Sequence, residues 1–340
     1  MSLMPVRMRG AVVHAPGRSD PPRLEDCEVP QPGPGEVLVR VRFAAVNWSD
    51  IQKRQGIYPD PVEYPAVLGA EVSGTIEAIG PGVDHSWAGR RVAALCGPRL
   101  VGGCAEYVAV PVPYLVPIPA DSPLGDAEWA AIPLACLTAY HLLHTASELR
   151  PGQVVLVHAA AGSVGLALMQ LIPLAGAVAI GTVGSAAKRD LPQRLGASLV
   201  IDRSREDFVE AALSFTGGAG VDLVIDSLGA DVLPRSFDAL RRFGRLINIG
   251  EAAGEPEFEV RKKLYERSTS MAGFEVLHAE PGTDRWTRGV DVISAHVASG
   301  DLRVPVDRVV PFAEISAAHE ALAGRTTAGK VVLEIAGPDA

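Results

Sequence analysis

Val154-Val-Leu-Val-His-Ala-Ala-Ala-Gly-Ser-Val-Gly165 is the most informative stretch of this 340-residue chain. Four aliphatic residues make a short strand, and a turn of small residues then opens a helix rich in Leu, Ala and Met. A strand that runs through Ala160-Ala-Gly162-Ser-Val-Gly165 into a helix is the setting of a dinucleotide fingerprint. The unpaired N–H groups and partial positive charge at a helix start can hold a pyrophosphate if side chains stay clear. Gly162 permits that approach, and Gly165 permits close packing of helix on strand. Ala160 replaces the first fingerprint glycine, so the segment also reads as a turn that only needs small residues.

The same rhythm continues after it. Val178–Val183, Leu199–Ile201, Leu223–Ile225 and Leu246–Ile249 are short apolar runs, separated by segments of helical period such as Glu206–Phe215 and Val232–Arg242. Repeated strand–helix units predict a doubly wound parallel sheet over residues 125–270. Residues 1–124 read as β-rich. Glu36-Val-Leu-Val-Arg-Val-Arg-Phe43 alternates, with Val37, Val39, Val41 and Phe43 on one face and Arg40 and Arg42 on the other. Further strands fit Val72–Ile79, Arg91–Leu95 and Ala105–Val110, while Pro30–Pro34 and Pro111–Pro119 mark connections. A helix at Val290–Ser299 and a closing strand at Lys330–Ile335 predict that residues 271–340 rejoin the first domain.

Composition limits the function classes. The chain is 48% hydrophobic, 21% charged and only 5% aromatic, which excludes collagen, coiled coil, long disorder and a disulfide scaffold. A net charge of −9 argues against nucleic acid as a partner. Four scattered cysteines with no CxxC pair fit a reducing, cytoplasmic setting without a zinc ribbon. The opening Met-Ser-Leu-Met-Pro-Val-Arg7 lacks an apolar leader region. Pro151–Ala187 carries no Asp, Glu, Lys or Arg, yet its glycines and Pro173 cut it into strand, turn, helix and strand rather than a membrane span.

Beyond the glycines, an NAD-binding chain usually places Asp or Glu where the ribose 2′-hydroxyl sits. Here Ile180-Gly-Thr-Val-Gly-Ser185-Ala-Ala-Lys188-Arg189 offers a hydroxyl and two cations instead. Ser185, Lys188 and Arg189 suit a 2′-phosphate, so NADPH is expected over NADH. Lys188 and Arg189 also read as the solvated start of the next helix.

Together these residues resemble the zinc-free medium-chain dehydrogenase/reductases related to ζ-crystallin, the quinone oxidoreductases. The resemblance rests on Asn47-Trp-Ser-Asp50, Arg54-Gln-Gly-Ile-Tyr58-Pro59, Leu68-Gly-Ala-Glu71-Val-Ser-Gly74, Leu137-Thr-Ala-Tyr140, His158–Gly165 and Gly181-Thr-Val-Gly-Ser185. It implies a partly open, GroES-like β-barrel built from both chain ends, with a Rossmann domain inserted. Zinc-dependent relatives carry cysteine where Asn47 stands and Gly-His-Glu where Gly69-Ala70-Glu71 stands. A catalytic zinc needs three protein ligands, so no metal is expected.

Without a Lewis acid, hydride addition to a conjugated acceptor is easier than alcohol oxidation, because the charge spreads over a quinone or enone. The resemblance therefore implies hydride transfer from NADPH to a quinone or an α,β-unsaturated carbonyl. It places Asn47 and Tyr58 beside the nicotinamide, with Tyr58 as a hydrogen-bond or proton donor and solvent as the competing proton source. Asn47 also reads as a turn cap, and Tyr58 as a packing residue. Further cofactor contacts implied are Thr138, Ala161 to Gly165 including Ser163 and Val164, Asn248, Gly250 and Arg325, the last of which also reads as a solvated loop charge. A homodimer through the sheet edge at Ser268–Val276 is expected. Val200-Ile-Asp202 stands where an adenine-packing tyrosine is common in the family, and Gln52 where some members carry a second active-site tyrosine.

Other readings remain open on sequence alone. They are an enoyl-thioester reductase, an NADPH-binding crystallin-like or RNA-binding protein, and a zinc alcohol dehydrogenase. His141 and His144, three apart on a helix with Glu148 beyond, read as structural or solvated rather than metal-binding, and His158 as hydrogen-bonded rather than catalytic.

Overall fold

The computed structural model describes residues 5–17 and 21–336. The opening Met-Ser-Leu-Met lies outside the described residues. The chain divides into two compact units, Met1–Leu134 with Pro281–Ala340 and Ala135–Glu280. Both junctions fall ten residues later than the sequence boundaries, because the helix Ile132–His141 starts in the first unit and the turn Val276–Ala279 closes the second.

The second unit is built on a six-stranded sheet in which every pair is parallel. Its order is Leu199–Asp202, Val178–Val183, Val154–Val157, Val221–Asp226, Leu240–Asn248 and Ser270–Gly273. Two predicted strands, Val154–Val157 and Val178–Val183, have the bounds the sequence set. Helices cover both faces of such a sheet, which is why its strands are apolar without alternation. Leu156, Ile180, Ile201, Val224 and Leu246 meet Phe208, Leu233 and Phe237 from the helices in one buried cluster. The segment Val232–Arg242 departs from expectation. Its helix stops at Ala239, and Leu240–Asn248 is strand, because Leu240 turns extended to pair opposite Val221.

The uncharged stretch after Pro151 is thus strand Val154–Val157, helix Ser163–Leu174 and strand Val178–Val183. Pro173 sits in the last turn of that helix, where one missing N–H costs little continuity. Among the described residues no helix is long and apolar enough to cross a membrane.

The first unit carries a curved sheet ordered Val306–Pro311, Lys330–Glu334, Glu36–Val46, Glu71–Ile79, Arg91–Leu95 and Leu115–Pro117, with Tyr107–Pro111 also paired to Glu36–Val46. A smaller sheet of Arg23–Glu28, Arg7–Val13 and Ala66–Val67 lies beside it. The two end strands of the larger sheet do not pair, so the barrel is partly open. Val37, Val39 and Val41 face its core as the alternation requires. The opposite face is not simply solvated. Leu38 is buried there against Met8, Val29 and Ala105, while Arg40 and Arg42 reach Glu77 and Asp126.

Candidate active site

In the second unit, the predicted cofactor residues other than Thr138 follow the carboxyl ends of parallel strands, the side on which doubly wound sheets bind ligands. Gly162 is the N-cap of the helix Ser163–Leu174 and is exposed, with Ser163 and Val164 half-buried behind it. A Cβ at Gly162 would meet only the Ala159 carbonyl oxygen, at 3.2 Å. At Gly165 a Cβ would lie 2.5 Å from that oxygen and 2.6 Å from the Ala160 Cα, so only glycine fits without backbone movement. Ala160 and Ala161 are buried, and the Ala160 Cβ fills the space in front of Gly181. The missing fingerprint glycine is therefore offset by a glycine on the neighbouring strand. An open helix start with its side chains withdrawn fits a pyrophosphate.

Ser185, Lys188 and Arg189 follow the next strand, Val178–Val183, and are half-buried. Arg189 donates to Glu206 at 2.9 Å, and the Asp202 backbone N–H donates to the same carboxylate at 3.0 Å. Asp202 is held anionic by the Ser204 hydroxyl and backbone N–H on its Oδ1, and its buried Oδ2 has no hydrogen-bond partner. Asn248 ends the strand Leu240–Asn248 and donates to Asp226 and to the Gly250 carbonyl, both at 3.1 Å. Asp226 also accepts from the Leu228 and Gly229 backbone, and burial raises its pKa. Thr138 is buried in the helix Ile132–His141. His158 bridges Thr182 and Ser236 at 2.9 Å each, and burial pushes its pKa down to about 3, so it is a neutral strut.

Asn47, Tyr58 and Arg325 belong to the first unit. Arg325 is exposed just after the helix Ile315–Ala323, at φ +55°. Tyr58 is half-buried, with the Lys53 ammonium 4.6 Å from its ring centre. Asn47 is buried at the start of the helix Trp48–Gln55. Asn47 is the N-cap residue but its side chain makes no cap bond; Asp50, in the first turn, accepts from the Asn47 backbone N–H at 2.8 Å. The Asn47 carboxamide instead donates to the Ala45 carbonyl and to Glu71 Oε1, both at 3.1 Å, and its oxygen accepts from the Lys330 ammonium. Lys330 Nζ lies 2.7 Å from Glu71 Oε1, and both side chains are 2% exposed or less. Glu71 Oε2 accepts from the Leu134 backbone N–H at 2.7 Å. The amide orientation follows from these partners, since a flipped carboxamide would set its NH2 against an ammonium. Next to Asn47, Trp48 Nε1 and Ser49 Oγ are buried atoms without a hydrogen-bond partner.

A family model for an alcohol dehydrogenase GroES-like domain matches residues 33–120, and one for a zinc-binding dehydrogenase matches residues 195–333. The 2-haloacrylate reductase of a Burkholderia species is 35% identical over 328 residues, which cover 95% of this chain and 98% of that protein. The crystal structure of Escherichia coli quinone oxidoreductase complexed with NADPH matches with a TM-score of 0.87 at 30% identity, over 96% of this chain and 99% of that one. The chain belongs to the zinc-free quinone oxidoreductase family of medium-chain dehydrogenase/reductases. A mycobacterial protein complexed with NADPH is similar over 96% of this chain and 100% of its own, with a TM-score of 0.89 at 32% identity.

As a member of this oxidoreductase family, the chain departs sharply from its zinc-dependent relatives at the ligand positions. A saturated carboxamide and the Ala70 methyl occupy two of them, and the remaining carboxylate, Glu71, already holds an ammonium. Among the described residues no group of three or more His, Cys, Asp or Glu is placed to hold a metal ion. His141 is buried against Thr145, and His144 is exposed. Trp129 and Trp286 are buried in the first unit rather than open to a substrate, with Trp129 donating to Ser122 at 2.7 Å.

Lys330 escaped the sequence reading. At the head of Lys330-Val-Val-Leu-Glu334 a lysine resembles a solvated strand end. Only its partners, hundreds of residues earlier in the chain, show that it is buried.

Proposed function

We propose that this protein is a metal-independent reductase that uses NADPH to reduce a quinone or an α,β-unsaturated carbonyl. The observation that carries the reading is the ammonium of Lys330 against Glu71, at the position where zinc-dependent relatives present metal ligands. The NADPH bound in two structural relatives supports the choice of coenzyme. So does the run Ser185–Arg189, which places a hydroxyl and cations where NAD-binding chains carry an acid.

When bound, NADPH supplies a hydride from its nicotinamide C4. The backbone around Ala161, Gly162, Ser163, Val164 and Gly165 holds the pyrophosphate, with Thr138 near it. Ser185 and Lys188 hold the 2′-phosphate, and Arg189 adds charge beside them while paired with Glu206. Asn248, Gly250 and Arg325 complete the coenzyme contacts. Asn47 borders the nicotinamide. Both of its amide hydrogens are committed, so it offers shape rather than a hydrogen bond to the substrate. Tyr58 Oη donates the hydrogen bond or proton to the oxygen or carbon that gains electron density.

The six-stranded sheet ends on Ser270–Gly273, where Ser270, Ala272 and Gly273 are exposed and uncharged. An unprotected edge of this kind pairs readily with a second copy, so the protein forms a homodimer there, which sedimentation at micromolar concentration tests. Four free cysteines and the coenzyme fit a cytoplasmic enzyme.

Steady-state NADPH oxidation with 1,4-benzoquinone, 9,10-phenanthrenequinone and crotonyl-CoA tests the function. Turnover on the quinones is expected. Turnover on crotonyl-CoA alone would favour an enoyl-thioester reductase, and failure on all three would remove the enzymatic reading.

A further inference from the structure

A buried lysine–glutamate pair is an expensive way to fill a core. Taking both charges out of water costs several kcal/mol per ion, and an apolar pair of the same volume often serves stability as well or better. Lys330 is 2% exposed and Glu71 0%, among strands that otherwise bury Val and Leu. The local backbone is also built to deliver that lysine inward. Gly329 sits at φ +108°, and a Cβ there would fall 2.3 Å from the Pro305 carbonyl oxygen, so the chain enters the strand Lys330–Glu334 through a turn that requires glycine.

Sheet register then fixes the partners. Val331 lies opposite Val46, and Ala45 lies opposite Glu71. Lys330, Asn47 and Glu71 therefore sit side by side on three adjacent strands or at their ends. The ammonium donates to the Asn47 oxygen and the Glu71 carboxylate, and that carboxylate accepts one Asn47 amide hydrogen while the Ala45 carbonyl takes the other.

We propose that Lys330 is a positioning residue. Its ammonium locks the Asn47 carboxamide in a single orientation and neutralises Glu71, so that a rigid surface backs the nicotinamide. The assignment rests on the coenzyme reading above. It predicts an effect on how the nicotinamide is held rather than on coenzyme affinity, which the phosphate contacts dominate.

The chain contains only two asparagines, Asn47 and Asn248, so 15N-asparagine labelling yields two side-chain amide pairs that Asn248→Ala separates. The decisive variant is Lys330→Met/Glu71→Gln, which removes the buried charges together and keeps the core neutral. Glu71→Gln alone is its reference, and Lys330→Arg tests rescue by a cation. In the double variant, without coenzyme, the Asn47 amide protons lose the slow solvent exchange that they show in the wild type. NADPH binding, read from nicotinamide fluorescence, stays within about threefold, while kcat with benzoquinone falls at least tenfold below the Glu71→Gln reference. An Asn47 amide as protected as in the wild type, or kcat equal to the reference, overturns the assignment. Wild-type protein that shows the protected amide yet oxidises no NADPH counts against the coenzyme reading instead, and the catalytic part of the assignment falls with it.

Discussion

Gly165→Ala and Gly162→Ala are three residues apart in one turn, yet they should fail in different ways. A methyl at residue 165 would press on backbone only, 2.5 Å from the Ala159 oxygen, 2.6 Å from the Ala160 Cα and 2.8 Å from the Ala160 carbonyl carbon. None of these atoms can swing aside as a flexible side chain would. The substitution therefore belongs at the upper end of overpacking costs, about 2–3 kcal/mol. In a unit of this size that lowers the melting midpoint by roughly 5–12 °C. At residue 162 the only neighbour is the Ala159 oxygen at 3.2 Å, and the backbone sits at φ −79°, ψ 166°, which alanine adopts freely. Stability should change by less than about 1 kcal/mol. The methyl would instead stand over the helix start and displace one or two charge-assisted contacts to phosphate, weakening NADPH about 10- to 100-fold. Two units can melt separately, so scanning calorimetry with and without NADPH identifies the transition that responds to coenzyme. Gly165→Ala melting like the wild type, or Gly162→Ala binding NADPH like the wild type, would refute the reading of this turn.

Lys188→Ala should raise the Kd for NADPH about tenfold or more while leaving NADH unchanged, by fluorescence titration of both. Tyr58→Phe should lower kcat about 100-fold with NADPH affinity intact, because a positioned proton donor is lost and coenzyme contacts are not. Stability should also fall in acid. Burial, with the nearby Arg203 and Arg54 charges, pushes His158 and His319 each down to about 3. The unfolded chain takes up protons near pH 6.5 while the folded chain keeps both rings neutral, so stability is full above that pH and is lost as pH drops toward 3. Each histidine contributes about 2 kcal/mol of loss at pH 5. His319 has no hydrogen-bond partner on either ring nitrogen, so His319→Leu should raise the melting midpoint and flatten its pH dependence. An unchanged slope between pH 7 and pH 5 would contradict this.

Much of the fold was legible because its signals are local. Val154–Val157, a small-residue turn and an apolar helix specify a strand–helix unit without help from distant residues, and Val178–Val183 repeats the logic. Val232–Arg242 was not legible to its end, since Leu240 has the apolar character of either a helix or a strand and its pairing with Val221 decides. The glycine loop and the run Ser185–Arg189 carry the chemistry of their proposed coenzyme role in the sequence itself. The environment of Asn47 was not legible there. A side chain that reads as a turn cap is turned away from its helix by Lys330 and Glu71, and only the sheet register brings those three together. Leu38, on the same face as Arg40 and Arg42, is buried for a similar reason, because a second sheet covers it.

Zinc removal separates metal-free hydride transfer from a zinc-dependent reaction. Protein dialysed exhaustively against a chelator should hold well under a tenth of an equivalent of zinc and still oxidise NADPH with 1,4-benzoquinone at its original rate. Activity that disappears with the metal and returns when zinc is restored would contradict the account.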